Sequence, residues 1–159
     1  MTNEELYSAS ALKSWKQVLN RFTEGITALN DAQLQKQVAP GKNRLYYLLG
    51  HLSAVHDRLL PMLGIGDRLH PELDAPFLTN PDGAVDDPIS AADLKAAWIE
   101  INAKLTAAFE QFKPADWLKK HAEVSDEDFA KEPTRNRLAV LLSRTNHLSF
   151  HSGQAVLAK

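Results

Sequence analysis

The sequence of 159 residues contains no cysteine. This absence excludes disulfides, cysteine-ligated zinc, iron–sulfur clusters and a cysteine nucleophile, so any thiol used in a reaction must come from outside the chain. An excess of positive charge is also lacking, because 18 Lys and Arg face 20 Asp and Glu and the formal net charge is -2. Without a basic stripe the chain lacks the electrostatic footprint of nucleic-acid binding, and we expect no nucleic-acid partner.

Long apolar runs are missing as well. No run approaches the roughly 18 residues that a membrane span requires, and we expect no membrane partner. The first five residues are polar and acidic, whereas a secretory signal would be basic and then apolar. We therefore expect a cytoplasmic protein.

The composition is that of a folded globular chain, with 44% hydrophobic and 24% charged residues. A chain of this length suits one domain with one core, and we predict a single domain over residues 1–159. No stretch alternates between apolar and polar residues for long enough to predict a strand. The sequence therefore predicts an all-α fold.

Four segments repeat their apolar residues at the spacing of three and four that marks one face of a helix. The predicted helices run from about Asn3 to Leu29, from Asn43 to just before Pro61, from Ser90 to Pro114, and from Thr134 nearly to Lys159. Asn43 and Ser90 are residue types that often cap the beginning of a helix. Single apolar faces need partners, so we predict a four-helix bundle.

A long connection separates the second and third predicted helices. Residues 64–88 are rich in Gly, Pro, Asp and Asn and have no sustained period, which indicates a loop longer than an ordinary hairpin connection. A crossover of this length allows helices two and three to point the same way. We therefore predict an up-down-down-up bundle.

The second and fourth helices share short stretches of sequence. Residues 43–49 resemble residues 136–142, and the run His-Leu-Ser occurs at residues 51–53 and again at residues 147–149. The second copy has three extra residues between these two blocks. A true repeat would relate two helical hairpins by a pseudo-twofold axis and bring histidines of both helices together. Chance similarity between leucine-rich helices is the alternative, and the sequence leaves both open.

Two of the six histidines, His147 and His151, are four residues apart on a predicted helix. They project from one face, about one turn apart, so they could share a metal ion. A chance pair has the same spacing. The residue after His147 is Leu148 rather than Glu, so the metalloprotease motif with its built-in general base is absent.

The other histidines carry weaker signals. His70 and His121 lie in polar, loop-like surroundings and are interpreted as solvated imidazoles. His51 lies at the flank of the leucine face of helix two and His56 nearer its centre. Each of these two fits either a metal ligand or a core histidine bonded to a carbonyl, and the role of His56 stays open.

Two motifs carry a family resemblance. They are Pro-Gly-Lys at residues 40–42, which opens the helix containing His51, and His147 with His151 followed by Ser-Gly-Gln. With the four-helix spacing, they resemble the DinB-like (YfiT-related) superfamily over nearly the whole chain. Asn43 stands where such proteins often have tryptophan, which affects the local packing and the pocket mouth. The resemblance implies an up-down-down-up bundle and a divalent-metal site formed by His51, His147 and His151.

Three neutral imidazoles suit Zn²⁺ or Ni²⁺ and leave a coordination position open. Two residues are candidates for hydrogen bonds to the ligands: Gln154, near His151 on the same helix face, and Tyr47, one turn from His51. Polar residues at the protein surface would fit both positions equally well. Gly153 fits a close approach between helices, although a glycine that the helix merely tolerates, at a cost of about 1 kcal/mol, fits as well. Arg144 is a candidate for binding an anionic substrate, although a solvated or salt-bridged arginine fits the sequence as well. No catalytic residue is identified.

The resemblance implies a metal-dependent enzyme similar to thiol-using transferases, which activates a small external thiol for transfer to an electrophile. One alternative is a metal-binding or stress-associated module without turnover. Another is a metal-dependent hydrolase, which is weakened because no carboxylate accompanies the histidines in the helix-four motif to act as a general base. Apolar residues left over after bundle packing would also fit a homodimer, but the sequence identifies no surface for it.

Overall fold

The computed structural model describes residues 1–158, so Lys159, the expected end of the fourth helix, lies outside the described residues. Within that range the chain forms helices and no strand, which confirms the all-α fold class. The helices are α1 (Asn3–Thr27), α2 (Asp31–Leu34), α3 (Leu45–Asp57), α4 (Leu59–Met62), α5 (Ala91–Gln111), α6 (Pro114–Trp117), α7 (Asp126–Lys131) and α8 (Arg137–Leu157). None of the helices in this range is long and apolar enough to cross a membrane.

The four long helices α1, α3, α5 and α8 occupy the predicted segments, with two corrections at their beginnings. Ser90 caps α5 as expected, since its hydroxyl accepts from the Asp93 N–H at 3.1 Å. Asn43, however, does not cap α3: the cap position is Arg44, whose N–H donates to the Asp82 carboxylate at 2.7 Å. The expected start of the fourth helix near Thr134 was also early, because Asn136 is the cap of α8.

The predicted second helix is divided into α3 and a single turn, α4. Pro61 has no N–H to donate to the carbonyl of Asp57, four residues earlier. The α-helix therefore ends at Asp57, and α4 continues from Leu59 to Met62. The proline thus acts one turn before its own position.

Each long helix packs against two others: α1 contacts α5 and α8, and α3 contacts the same two. Their apolar faces meet in one core that contains Trp15 of α1 and Trp98 of α5, both fully buried. The area that these aromatic rings bury is large, which accounts for both tryptophans without a cofactor.

His56 lies inside this core and is not part of the histidine cluster described below. Its ring lies between Trp15 and Trp98, with centroid distances of 5.0 and 4.9 Å. Its Nδ1 is 2.7 Å from Oδ1 of Asn102. Burial lowers the pKa of His56 to about 3, so the ring is neutral at pH 7. His56 is therefore a core histidine.

The long connection predicted as a loop contains ordered helical turns. A 3₁₀ turn covers Pro71–Leu73 and a π-helical turn covers Ala75–Thr79, and both pack on α3. Phe77 is buried against Gly50: a Cβ at that glycine would lie only 2.3–2.5 Å from atoms of the Phe77 ring. Gly50 thus allows the π-helical turn to approach α3 closely.

A buried carboxylate holds the beginning of this connection. Asp57, at the end of α3, is fully buried and accepts hydrogen bonds from the backbone N–H of Leu69 at 2.8 Å and of His70 at 3.1 Å. Nε of Arg68 donates to the same carboxylate at 2.6 Å. These bonds satisfy a charge that burial would otherwise make costly. The crossover is therefore fixed to α3 at Asp57 as well as at Gly50.

The segments that lead into α3 and α8 are alike. Isolated antiparallel bridges join Gln37 to Arg44 and Lys120 to Asn136, so that both cap residues are held in the same way. This pairing matches Arg44 with Asn136, one residue away from the match that the sequence suggested. His51 then lies about two turns into α3 and His147 about three turns into α8. Counted from the caps, His147 therefore lies about one turn further into α8 than His51 does into α3.

Candidate metal centre

The two packed helices α3 and α8 bring His51, His147 and His151 together. Nε2 of His147 lies 3.3 Å from Nε2 of His51 and 3.0 Å from Nε2 of His151. One ring nitrogen from each residue lies within 4.8 Å of the other two. Among residues 1–158 this is the one group of three or more His, Asp or Glu side chains close enough together to hold a metal ion. The three residues predicted as ligands thus converge, although His51 is far from the others in sequence.

The outer nitrogens of two of these rings are held by neighbouring oxygens. Nδ1 of His51 lies 3.1 Å from the carbonyl oxygen of Phe77, and Nδ1 of His151 lies 2.7 Å from Oε1 of Gln154. Because these oxygens only accept, each Nδ1 carries the proton. In a neutral imidazole the other nitrogen, Nε2, then presents its lone pair. Both lone pairs point toward His147.

Burial keeps the three rings neutral. Desolvation is the largest cause that lowers the pKa of each, and for His147 it acts with His151, His51 and Arg144 to bring the pKa to about 4. The hydrogen bonds from Phe77 and Gln154 act in the opposite direction on His51 and His151 but do not cancel the effect of burial. At pH 7 the cluster is therefore a set of neutral nitrogen donors, the form that binds metals.

The spacing of these nitrogens suits a metal ion. In a tetrahedral site with Zn–N bonds of about 2.0–2.1 Å, two nitrogen ligands lie about 3.3 Å apart. The observed separations are 3.3 and 3.0 Å. Lone pairs at this distance repel one another unless a proton or a cation lies between them. The donors are all imidazole nitrogens, which favours zinc, nickel or copper over the oxygen-seeking magnesium and calcium.

The sequence that forms this cluster also matches a known family. The family model of the DinB superfamily matches residues 14–155. The chain belongs to the DinB superfamily. The matched range includes all three clustered histidines and most of each long helix. A comparison with curated proteins finds no match.

The two neighbours expected around the ligands differ in how they contact this DinB-family site. Gln154 bonds to His151 as described above. Tyr47 stacks its ring on His51, with an interplanar angle of 13° and centroids 6.4 Å apart. Its hydroxyl donates to the carbonyl of Asn80 at 2.8 Å. Tyr47 therefore contacts His51 through its ring face and anchors the crossover through its hydroxyl.

The glycine that permits a close approach is not the predicted one. Gly153 is exposed, and a Cβ added there would meet nothing within 4 Å, so the predicted close approach at Gly153 is wrong. Gly50, directly before His51, has that role because the Phe77 ring lies against it. The Phe77 carbonyl is the contact that sequence reasoning missed. Every residue has a backbone carbonyl, so the only signal in the sequence was a large apolar residue, Phe77, within a polar connection.

His70 also differs from its interpretation as a solvated imidazole. Its Nδ1 lies 3.0 Å from a carboxylate oxygen of Glu72, and its Nε2 lies 2.9 Å from one of Glu100. Partial burial acts to lower the pKa of His70, but the hydrogen bonds to Glu100 and Glu72 outweigh it and raise that pKa. His70 thus links the crossover to α5. Neither His70 nor His121 belongs to the histidine cluster.

Proposed function

We propose that this DinB-family protein binds a divalent metal ion through Nε2 of His51, His147 and His151. The observation that carries the proposal is the convergence of three neutral imidazoles, two of which have their proton fixed on the outer nitrogen. Zinc or nickel is the expected ion, since the donors are all nitrogen.

We also propose that the site lies within a single-domain, up-down-down-up bundle. Nε1 of Trp98, near the beginning of α5, donates to Oγ1 of Thr23 near the end of α1 at 2.9 Å. This contact supports opposite directions for those two helices. The hydroxyl of Tyr46, at the beginning of α3, donates to the carbonyl of Ile89 just before α5 at 2.7 Å. That contact supports parallel directions for α3 and α5, which the long crossover permits.

The proposed activity is transfer of a small external thiol to an electrophile. A divalent ion with an open position would lower the pKa of a thiol that binds to it. The thiol proton goes to solvent, the sulfur forms a bond to an electrophilic carbon, and the leaving group departs with the electron pair of its bond. In this scheme the three histidines hold the ion, while Phe77 and Gln154 fix two of their rings.

Hydrolysis is less well supported. Activation of water usually requires a general base within hydrogen-bond distance. Among the described residues, no Asp or Glu joins the histidine cluster. A sulfur nucleophile has less need of such a base, because a thiol ionises near neutral pH when its pKa falls only slightly.

Metal content and thiol dependence test the proposal. Purified protein should retain a divalent ion, and His51→Ala, His147→Ala and His151→Ala should each lose it, while the control variant His121→Ala should keep it. Conjugation of a chromogenic electrophile should then require both a thiol and the ion. Retention of the ion in all three cluster variants would remove the metal site. Conjugation that is insensitive to a chelator would remove the metal from the reaction, and metal binding without conjugation would identify a binding module.

The expected homodimer and the cytoplasmic location stay predictions. Light scattering on the metal-loaded protein tests the first, and cell fractionation tests the second.

A further inference from the structure

Arg144 lies beside the histidine cluster and forms no ion pair with any residue of the range 1–158. It lies on α8, about one turn before His147, and is half-buried. Its Nε is buried without a hydrogen-bond partner. Four other arginines each form an ion pair with an aspartate: Arg44 with Asp82, Arg58 with Asp74, Arg68 with Asp57 and Arg135 with Asp128. Within residues 1–158, Arg21, Arg137 and Arg144 have no such pair, and the Nε of Arg137 is also buried without a partner. Of these three, only Arg144 contributes to the pKa of the clustered histidines.

The guanidinium is close enough to the cluster for its charge to act there. It contributes to lowering the pKa of both His51 and His147, after the larger effect of burial. No carboxylate within residues 1–158 contributes to the pKa of any of the three clustered histidines. Among the described residues, the charge that acts on the cluster is therefore the positive charge of Arg144, and no carboxylate balances it there.

A divalent ion in the cluster would make this imbalance greater. Two positive charges would be added beside the guanidinium in a half-buried volume, where charges are screened less than at the surface. Buried charges in proteins are normally paired. With no carboxylate from the described chain at this place, an anionic ligand would supply the balancing charge.

We propose that Arg144 binds the anionic group of the substrate, and that the substrate of this site is a thiol that carries a carboxylate. The proposal rests on the metal site and the thiol chemistry proposed above. A guanidinium binds a carboxylate through two parallel hydrogen bonds, and its unpaired donors are available for them. The sulfur would then face the open metal position while the carboxylate faces Arg144, which also orients the thiol.

The proposal predicts opposite effects of one substitution on two affinities. Arg144→Gln removes a positive charge that repels the ion, so the affinity for Zn²⁺ alone should rise about three- to tenfold, or about 0.7–1.4 kcal/mol. The same change removes the partner of the carboxylate, so the affinity of the zinc-loaded protein for mercaptoacetate should fall about tenfold. Damage to the fold would instead lower both affinities.

Three small thiols of different charge make the test specific. Zinc affinity is measured by competition with a chromogenic chelator, and thiol affinity by calorimetry on the zinc-loaded protein. The wild type should bind mercaptoacetate more tightly than neutral mercaptoethanol, and cationic cysteamine least. This order should collapse in Arg144→Gln. Arg144→Lys keeps the charge but not the paired hydrogen bonds, so its zinc affinity should match the wild type and its mercaptoacetate affinity should be intermediate.

Arg135→Gln is the matched control, because it removes the same charge from an exposed arginine outside α8 and should change neither affinity. If Arg144→Gln leaves both affinities unchanged, or lowers both, the role of Arg144 is refuted while zinc binding by the wild type still supports the metal site. If the wild type binds no zinc, the metal site itself is refuted, and this proposal with it.

Discussion

Replacing Gly50 with alanine should disturb the metal centre through Phe77, without changing any of the three clustered histidines. The added Cβ would lie 2.3–2.5 Å from three atoms of the Phe77 ring. Non-bonded carbons settle at about 3.5–4.0 Å, so the ring would have to retreat by about 1.2 Å or more. It has little freedom to rotate, because it packs edge-on against both Tyr46 and Tyr47. The π-helical turn must therefore move with the ring.

Two effects follow from that movement. Overpacking of this kind costs about 1–3 kcal/mol, while alanine in place of glycine favours the helix by about 1 kcal/mol. We expect a net loss of up to about 2 kcal/mol, which for a domain of this size lowers Tm by up to about 8 °C. The Phe77 carbonyl, now 3.1 Å from Nδ1 of His51, would move out of hydrogen-bond range. Loss of such a contact weakens metal affinity by about 10- to 100-fold.

Gly153→Ala is the matched control, since it makes the same change inside α8 near His151 but in open space. It should stabilise the protein by about 0.5–1 kcal/mol and leave zinc affinity unchanged. Thermal unfolding of the metal-free variants and zinc competition on the folded ones provide both readouts. If Gly50→Ala is as stable as Gly153→Ala and binds zinc as the wild type does, the argument from the Phe77 contact is wrong.

Three further predictions concern Gln154, His56 and the contact of His70 with Glu100. Gln154→Ala should weaken zinc affinity by about 10- to 100-fold in chelator competition with little loss of stability, and an unchanged affinity would show that its bond to His151 does not support the site. His56 has a pKa of about 3 in the folded protein, so it contributes stability that is present above its ordinary pKa of 6.5 and is lost as pH falls. In urea unfolding of the metal-free proteins, the free energy of unfolding should therefore fall between pH 7 and pH 5 by about 2 kcal/mol less in His56→Gln than in the wild type. Equal falls in the two proteins would contradict this. His70 has a raised pKa, so its stabilisation is present at low pH and is lost as pH rises through that pKa. Glu100→Gln should make this loss of stability with rising pH smaller. If the free energy of unfolding depends on pH as it does in the wild type, the stabilisation by the His70–Glu100 contact is refuted.

The long helices could be predicted because each buries one apolar face, and that constraint repeats along the sequence every three or four residues. Their beginnings were harder to place. Asn43 looks like a cap by residue type, but α3 begins after Arg44 because Asp82, far along the chain, binds the Arg44 N–H. A local pattern does not contain a contact of that kind.

The candidate site was predictable to a similar degree. The spacing of His147 and His151 showed that they share a helix face, while the choice of His51 over His56 came from the family resemblance. The structure separates those two by packing, since His56 lies between two tryptophans of the core. The support from Phe77 was not predictable, because a backbone carbonyl in a polar connection leaves no periodic signal.

The crossover contributes more to this protein than a link between helices. Its π-helical turn supplies the carbonyl that orients His51, and its beginning is tied to Asp57. An ion that binds more tightly when the His51 ring is oriented must therefore also favour the ordered crossover. By reciprocity, an ordered crossover must raise the affinity for the ion. Amide hydrogen exchange across residues 69–80 should accordingly slow when zinc is added, although none of these residues belongs to the histidine cluster.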